Sequence, residues 1–382
     1  MANQGANTGN GQAIQGLNIQ GGAAIVAPVT SFQNGIPPNA LVVLPVQKMT
    51  DELKEKLEAG PLAVTREQMW ELLGFNGPAV QVQDDQGRPL MIGLEDLLGG
   101  LDKHFNEKPE DLNRGRIYAQ ELMKHERFQR AEQVLSKVVA KGGSGEDWLA
   151  LGICQLQQDR FDKAEGTLKG AQNLLKTNPY PSLHLAKLQK KKENLEAERQ
   201  MIDKALEIDG DLVDAWAYLF TYLKDNTSEE SAVSEMEKFA KEKKSARPLV
   251  ALQAFYASKE EGRDKAIEFG KKALQVDGDD VLALLALSAL YGQKGDLPSV
   301  VTLLQPHEAK MTRDVRLANN YFEALFQSRQ IDKVTKLLNA LAGSQNQQVK
   351  EFALQRSKAV AQFLQQQQQQ IAKLAGAQPK PS

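Results

Sequence analysis

The side chains that could do chemistry are few in this 382-residue chain, and they are scattered. The four histidines are His104, His125, His184 and His307, and the one cysteine is Cys154. No two of them stand at the short spacings by which Cys and His share a zinc ion. There is no Gly-rich phosphate loop of either common type and no G-x-S-x-G turn. Cys154 follows Ile153 in an apolar stretch, where a thiol reads as a buried hydrophobe before a nucleophile. Two acidic turns, Asp209-Gly210-Asp211 and Asp277-Gly278-Asp279-Asp280, invite a calcium reading. They lack the twelve-residue ligand pattern with its closing glutamate, and read as turns and helix caps. The expectation is a non-enzyme with no catalytic residue, no metal site and no cofactor. One enzymatic alternative stays open, an active site within residues 46–110, a stretch with a single histidine.

What the chain offers instead is a period. Trp148 is followed by Leu151, Gly152, Ala164, Leu168 and Ala171, and steps of 34 residues keep the frame through Ser182, Trp216, Val250, Leu284 and Ala318. With Trp148 at position 4, position 7 reads Leu151, Leu185, Leu219, Gln253, Leu287 and Tyr321. Position 8 reads Gly152, Ala186, Phe220, Ala254, Ser288 and Phe322, and position 24 reads Leu168, Ile202, Met236, Gly270, Leu304 and Leu338. An earlier unit fits with a one-residue slip, through Tyr118, Ala119, Leu122, Ala131, Leu135 and Val138. Apolar residues at 4, 7 and 11 share one face of a first helix, and those at 20, 24 and 27 share one face of a second. Small residues at 8 and 20 let the two helices approach. Glu198, Phe220 and Phe322 depart from that rule, so their helix pairs should be spread or shifted. Asp159-Arg160, Asp225–Ser228, Gly262 and Gly295-Asp296 signal turns inside units. Asn178-Pro179 and the two acidic turns signal their ends.

This pattern resembles the tetratricopeptide repeat (TPR) family, with its W-x2-L-G-x2-Y, A-x3-F and P signature. The unit at 148–181 carries Trp148, Leu151, Gly152, Ala164 and Ala171 from it, and the resemblance covers about residues 114–345, seven units. It implies an all-α fold, a right-handed α-solenoid of helix-turn-helix repeats, here with a small α+β N-terminal module and flexible termini.

Around the solenoid, expected at 111–346, the chain divides further. Residues 1–45 are rich in Gly, Asn, Gln and Ala and almost without charge. They read as a disordered tail. The alternative is a docking latch, since Ala23–Val29 and Ala40–Leu44 are apolar and partly β-prone. Residues 46–110 read as a small separate module. It would hold helices at about 51–58 and 65–73, a β-hairpin through Val80, Val82 and Leu90-Met91-Ile92, and a helix at Leu94–Phe105. This module could cap the first repeat, whose apolar face needs cover. Residues 347–375 read as a C-terminal capping helix that includes the run Gln365–Gln370, with a coiled-coil or tail contact as the alternative. Residues 376–382 read as disordered. Charge is balanced, 47 Lys+Arg against 49 Asp+Glu, which argues against nucleic acid as the main partner. No apolar run reaches membrane-span length, no standard signal peptide is visible, and a lone cysteine permits no intrachain disulfide. A cytoplasmic address is therefore expected.

In the resembling family the first helices line the concave face, through positions 2, 5, 6, 9, 12 and 13. Carried onto this chain, the partner-binding groove would include Leu149, Ile153, His184, Lys187, Lys191, Tyr218, Thr221, Leu252, Phe255, Ala289, Asn320 and Glu323. The groove is apolar at 149–156 and 251–289, with a basic step at 187–191, which suits a peptide or amphipathic helix with acidic flanks. The plainer reading also stands, in which the lysines are a solvated face and Leu252 and Phe255 are covered by neighbouring helices. No unit pairs Lys at position 5 with Asn at 9, which speaks against the family's chaperone-tail adaptors. The function expected is a scaffold or adaptor that binds a partner protein or peptide and can self-assemble, including as a homo-oligomer. The alternative is a dedicated chaperone for an exported or assembling client.

Overall fold

In the computed structural model, residues 24–28, 41–45, 78–83 and 89–376 are described. The chain forms two compact units, Met1–Leu175 and Lys176–Ser382. Both are built from helix-turn-helix repeats, so the fold is an α-solenoid of this kind.

The first unit opens with two antiparallel strand pairs. β1 (Ala24–Pro28) pairs with β2 (Leu41–Pro45), Val26 facing Val43. These strands fall on the two apolar segments of the expected tail, whose other residues lie outside the described ones. β3 (Ala79–Gln83) pairs with β4 (Pro89–Gly93), Val80 facing Ile92 and Val82 facing Leu90, the hairpin that alternation predicts. α1 (Leu94–Glu107) follows at once. The helices expected at about 51–58 and 65–73 lie outside the described residues. α1 packs against the first repeats. Its Leu94, Leu97, Leu98, Leu101 and Phe105 share one core with Tyr118, Leu122, Leu135, Leu151 and Cys154, and Val80 and Ile92 pack on it. The repeats of this unit are α2 (Leu112–Lys124) with α3 (Phe128–Ala140) and α4 (Gly145–Gln157) with α5 (Phe161–Leu174).

The second unit holds five more pairs: α6 (Tyr180–Lys191) and α7 (Leu195–Ile208), α8 (Val213–Asn226) and α9 (Glu229–Lys243), α10 (Arg247–Ala257) and α11 (Arg263–Val276), α12 (Val281–Gln293) and α13 (Leu297–Leu304), α15 (Val315–Gln327) and α16 (Ile331–Ala342). Pro306 ends α13 early in a 3-10 turn, and a single turn, α14 (Glu308–Met311), follows. α17 (Gln347–Gly376) closes the unit. From α5 onward the second helices begin at 161, 195, 229, 263, 297 and 331, a strict 34-residue step.

Local chemistry sets these boundaries. Asn194, Ser228, Asp280 and Asp296 each accept a hydrogen bond from the backbone N–H three residues on, at 2.8–3.2 Å, and so cap α7, α9, α12 and α13. Asp209 and Asp277 accept from the N–H two residues on, so the acidic turns are turn-formers. Side-chain size then sets the packing. A Cβ on Gly152 would stand 2.6 Å from the Leu168 side chain, so the α4/α5 pair closes only because position 8 is glycine. The pairs carrying Phe220 and Phe322 pack more loosely than the Gly152 pair, but so does the pair carrying Ser288, so bulk at position 8 is not the sole cause. Glu198 does not spread its pair. The residue is buried, and its carboxylate accepts a hydrogen bond from Tyr218 Oη at 2.9 Å.

Candidate functional site

Positions 2, 5, 6, 9, 12 and 13 of each first helix define a face that can be followed within each unit. In the first unit α4 places Leu149, Ala150 and Ile153 there, all partly exposed. α2 adds Ile117, 38% exposed. Ile117 is absent from the sequence-derived set because its unit is one residue short and drops out of the strict 34-residue register. Beside it, Arg116 is already engaged, with Nη2 2.8 Å from Asp147 Oδ2 and Nε 2.9 Å from Oδ1. Burial alone would raise the Asp147 carboxyl, but Arg116 and the Ser144 N–H outweigh it and hold the group below its usual range.

In the second unit the candidates separate into two kinds, and the first kind is committed to the fold. Leu252 is a correction: it is 0% exposed, in the core with Trp216, Leu249 and Tyr256, and has no surface to offer. Its turn of α10 is buried all round, so position 6 faces inward here. Tyr218 donates to Glu198, and burial together with that carboxylate raises its phenol. Thr221 Oγ1 donates to the Ala217 carbonyl of its own helix at 3.0 Å. Asn320 Nδ2 donates to Ser288 Oγ at 2.9 Å. Glu323 pairs with Arg356 of α17 at 3.0 Å, and Arg356 also donates to Asn319 Oδ1 at 2.9 Å. Arg356 thus ties the last helix to its neighbour.

The second kind remains presentable. Ala289 and Lys191 are exposed. Phe255 is partly exposed, its ring edge-on to Phe220 with centroids 4.7 Å apart. Lys259 Nζ stands 4.2 Å and Lys224 Nζ 5.6 Å from the Phe255 ring centroid. Lys259 also pairs with Glu229 at 3.0 Å, and Lys190 with Asp225 at 2.6 Å, so the basic step is partly neutralised. Burial lowers the His184 imidazole to about 3, with Lys187 adding to the effect, so His184 is neutral at pH 7. Lys187 is itself lowered by burial, opposed by Asp214.

No family model matches the chain. No curated protein matches it either. Solved structures do match. Yeast Tom70 aligns at 14% identity over 72% of this chain and 59% of its own, with a TM-score of 0.37. YrrB, a TPR protein with an unusual peptide-binding site, aligns at 20% identity over 49% of this chain and 96% of its own, with a TM-score of 0.31. PilF of Pseudomonas aeruginosa aligns at 13% identity over 55% of this chain and 97% of its own, with a TM-score of 0.28. The chain is similar to TPR proteins of known structure. It spans about three fifths of the Tom70 structure, 59%.

Among the described residues the face shows no reacting constellation. Among the described residues no group of three or more His, Cys, Asp or Glu could hold a metal. No helix among them is long and apolar enough to cross a membrane. Burial pushes the Cys154 thiol up to about 12, so it is un-ionised at pH 7. A shallow cleft of about 390 Å³ opens elsewhere in the second unit, lined by Lys271, Leu274, Leu287, Tyr291 and Leu303.

Proposed function

We propose that the protein is a non-enzymatic scaffold or adaptor that holds a partner protein or peptide on its first-helix faces. The observation that carries this reading is Phe255, an aromatic ring left partly open on such a face between two lysine ammonium groups. An aromatic contact flanked by cations favours a ligand with an apolar side chain next to a carboxylate. Ile117, Leu149 and Ile153 give the first unit a purely apolar counterpart. Balanced overall charge favours a protein ligand over nucleic acid. A lone buried cysteine suits a reducing, cytoplasmic setting.

The test is affinity capture from native extract with wild-type, Phe255→Glu and Ile153→Glu baits, each checked by its melting curve. Phe255→Glu gives up the edge-on contact with Phe220, about 0.5–1.5 kcal/mol, but sets a carboxylate between Lys224 and Lys259, so the protein stays folded. Loss of one stoichiometric partner with a folded Phe255→Glu bait supports the reading. An unchanged catch with both variants defeats it.

A further inference from the structure

We propose that α17 pairs with the α17 of a second copy, antiparallel, through its outward face. The first-unit and second-unit pairs are made of helices of 8 to 15 residues, whereas α17 runs for 30. Its inward face is accounted for. Val349, Ala353 and Val360 are buried, Phe352 packs against Phe322 with centroids 5.9 Å apart, and Phe363 against Phe326 at 5.1 Å. A neighbouring face, roughly 110° round the helix, is not. Leu354 is 58% and Leu364 38% exposed, two of the few large apolar side chains left open among the described residues.

The pattern on that face fits a copy of itself. Leu354, Ser357, Ala361 and Leu364 are all exposed and follow one another at steps of three, four and three residues, the spacing of a helix–helix seam. Large, small, small, large at 3-4-3 reads the same in both directions. A two-fold axis beside residue 359 therefore sets Leu354 against Leu364 of the other copy and Ser357 against its Ala361, where two small residues let the helices close. Charge selects the same occupant. Residues 359–372 carry none, although a quarter of the whole chain is charged (25%). A stretch meant for water, or for a charged partner, would not be so bare. Beyond the seam, the glutamine run of one copy lies along Gln347, Gln348 and Glu351 of the other, and amides that both donate and accept match such a surface. Two leucine pairs and a polar flank bury less than the ~1,200 Å² of a standard interface, so the pairing is weak and concentration-dependent.

Sedimentation equilibrium of the full chain from low to several hundred micromolar tests this. The expected mass starts at 42.1 kDa and climbs to twice that value. The Leu354→Lys/Leu364→Lys double variant stays at the single-chain mass throughout. Both leucines are exposed, so its helical circular dichroism and melting curve match wild type. Phe255→Glu dimerises as wild type does, which separates this pairing from the first-helix reading. Orientation is read by spin labels on Gln368→Cys, with Cys154 buried and silent. Nine residues from the axis on each copy places the labels about 30 Å apart in the antiparallel pair, against about 10 Å in a parallel one. A single-chain mass at every concentration overturns the proposal, as does a dimer that survives the double variant, a short label distance, or growth past the dimer through the glutamine run.

Discussion

Replacing Gln253 with leucine should stabilise the protein. Position 7 carries a buried leucine at Leu151, Leu185, Leu219 and Leu287, but in the fourth of these units it is Gln253, 0% exposed. Neither its amide nitrogen nor its amide oxygen has a hydrogen-bond partner. The sequence across the unit compensates for shape but not for polarity. Position 24, elsewhere leucine, isoleucine or methionine, is Gly270, and a Cβ there would stand 2.4 Å from Gln253 Nε2. Leaving a buried polar group unsatisfied costs about 1–3 kcal/mol, and an apolar isostere also gains from burial, so Gln253→Leu should add about 2 kcal/mol. That is roughly a thirtyfold rise in the folding constant. Urea unfolding of the full chain followed by circular dichroism should show a higher midpoint with an unchanged slope. The companion change Gly270→Ala should lower the midpoint, because overpacking costs about 1–3 kcal/mol and helix propensity returns only about 1. A midpoint that falls for Gln253→Leu would show that the amide is satisfied in solution, and the reasoning would fail.

Three other outcomes follow from the same packing. The Arg116–Asp147 pair makes stability fall in acid. The Asp147 carboxyl is held below its ordinary value, so its contribution is present above about pH 4 and is lost as pH drops through the lowered folded value. Arg116→Met should cost about 2 kcal/mol near neutral pH by stranding a buried carboxylate, and it should flatten the acid limb of a stability–pH profile. Cys154, buried with its thiol raised to about 12, should resist a disulfide reagent at pH 8 and release one equivalent only once urea unfolds the chain. Glu193, exposed at φ 57°, should gain about 0.5 kcal/mol on replacement by glycine, which adopts that conformation freely; a lower melting temperature would refute this.

Much of the repeat architecture can be read from one periodic pattern, because a 34-residue period repeats the same burial requirement at each step. The predicted second-helix positions 20, 24 and 27 all fall within observed helices from α5 to α11. The turns were less legible. Glycine and aspartate marked Asp159 and Gly295, yet the same left-handed corner is taken by Glu126, Glu193 and Arg329, which carry no turn signature. There the helix pair on either side imposes the conformation on whatever residue stands between. The boundary between compact units after Leu175 was illegible too, since the 34-residue frame runs through it unbroken. Near residue 110 the change of pattern conceals a shared core, α1 packing on Tyr118 and Leu122.

The candidate face shows why position numbers alone overstate a binding surface. A family pattern tells which direction a residue points, but a neighbouring helix can claim that direction first. Glu198 occupies a place built for a small side chain, and Tyr218 is drawn onto its carboxylate. Ser288 does the same to Asn320 across 32 residues, and α17 brings Arg356 down on Glu323. Each of these is an irregularity at one position corrected by a polar residue one unit away, so the residues most conspicuous as polar groove positions are those the fold has already used. What is left free is chemically plainer: Ile117, Leu149 and Ile153 in the first unit, and Phe255 with its lysines in the second. Under the proposed reading, a ligand of the first-unit face is selected by apolar shape, and one of the Phe255 face by apolar shape with a carboxylate anchor. Binding at the second-unit face should then respond strongly to Phe255 and binding at the first-unit face to Ile153, whereas loss of Tyr218, Asn320 or Glu323 would be felt first in stability.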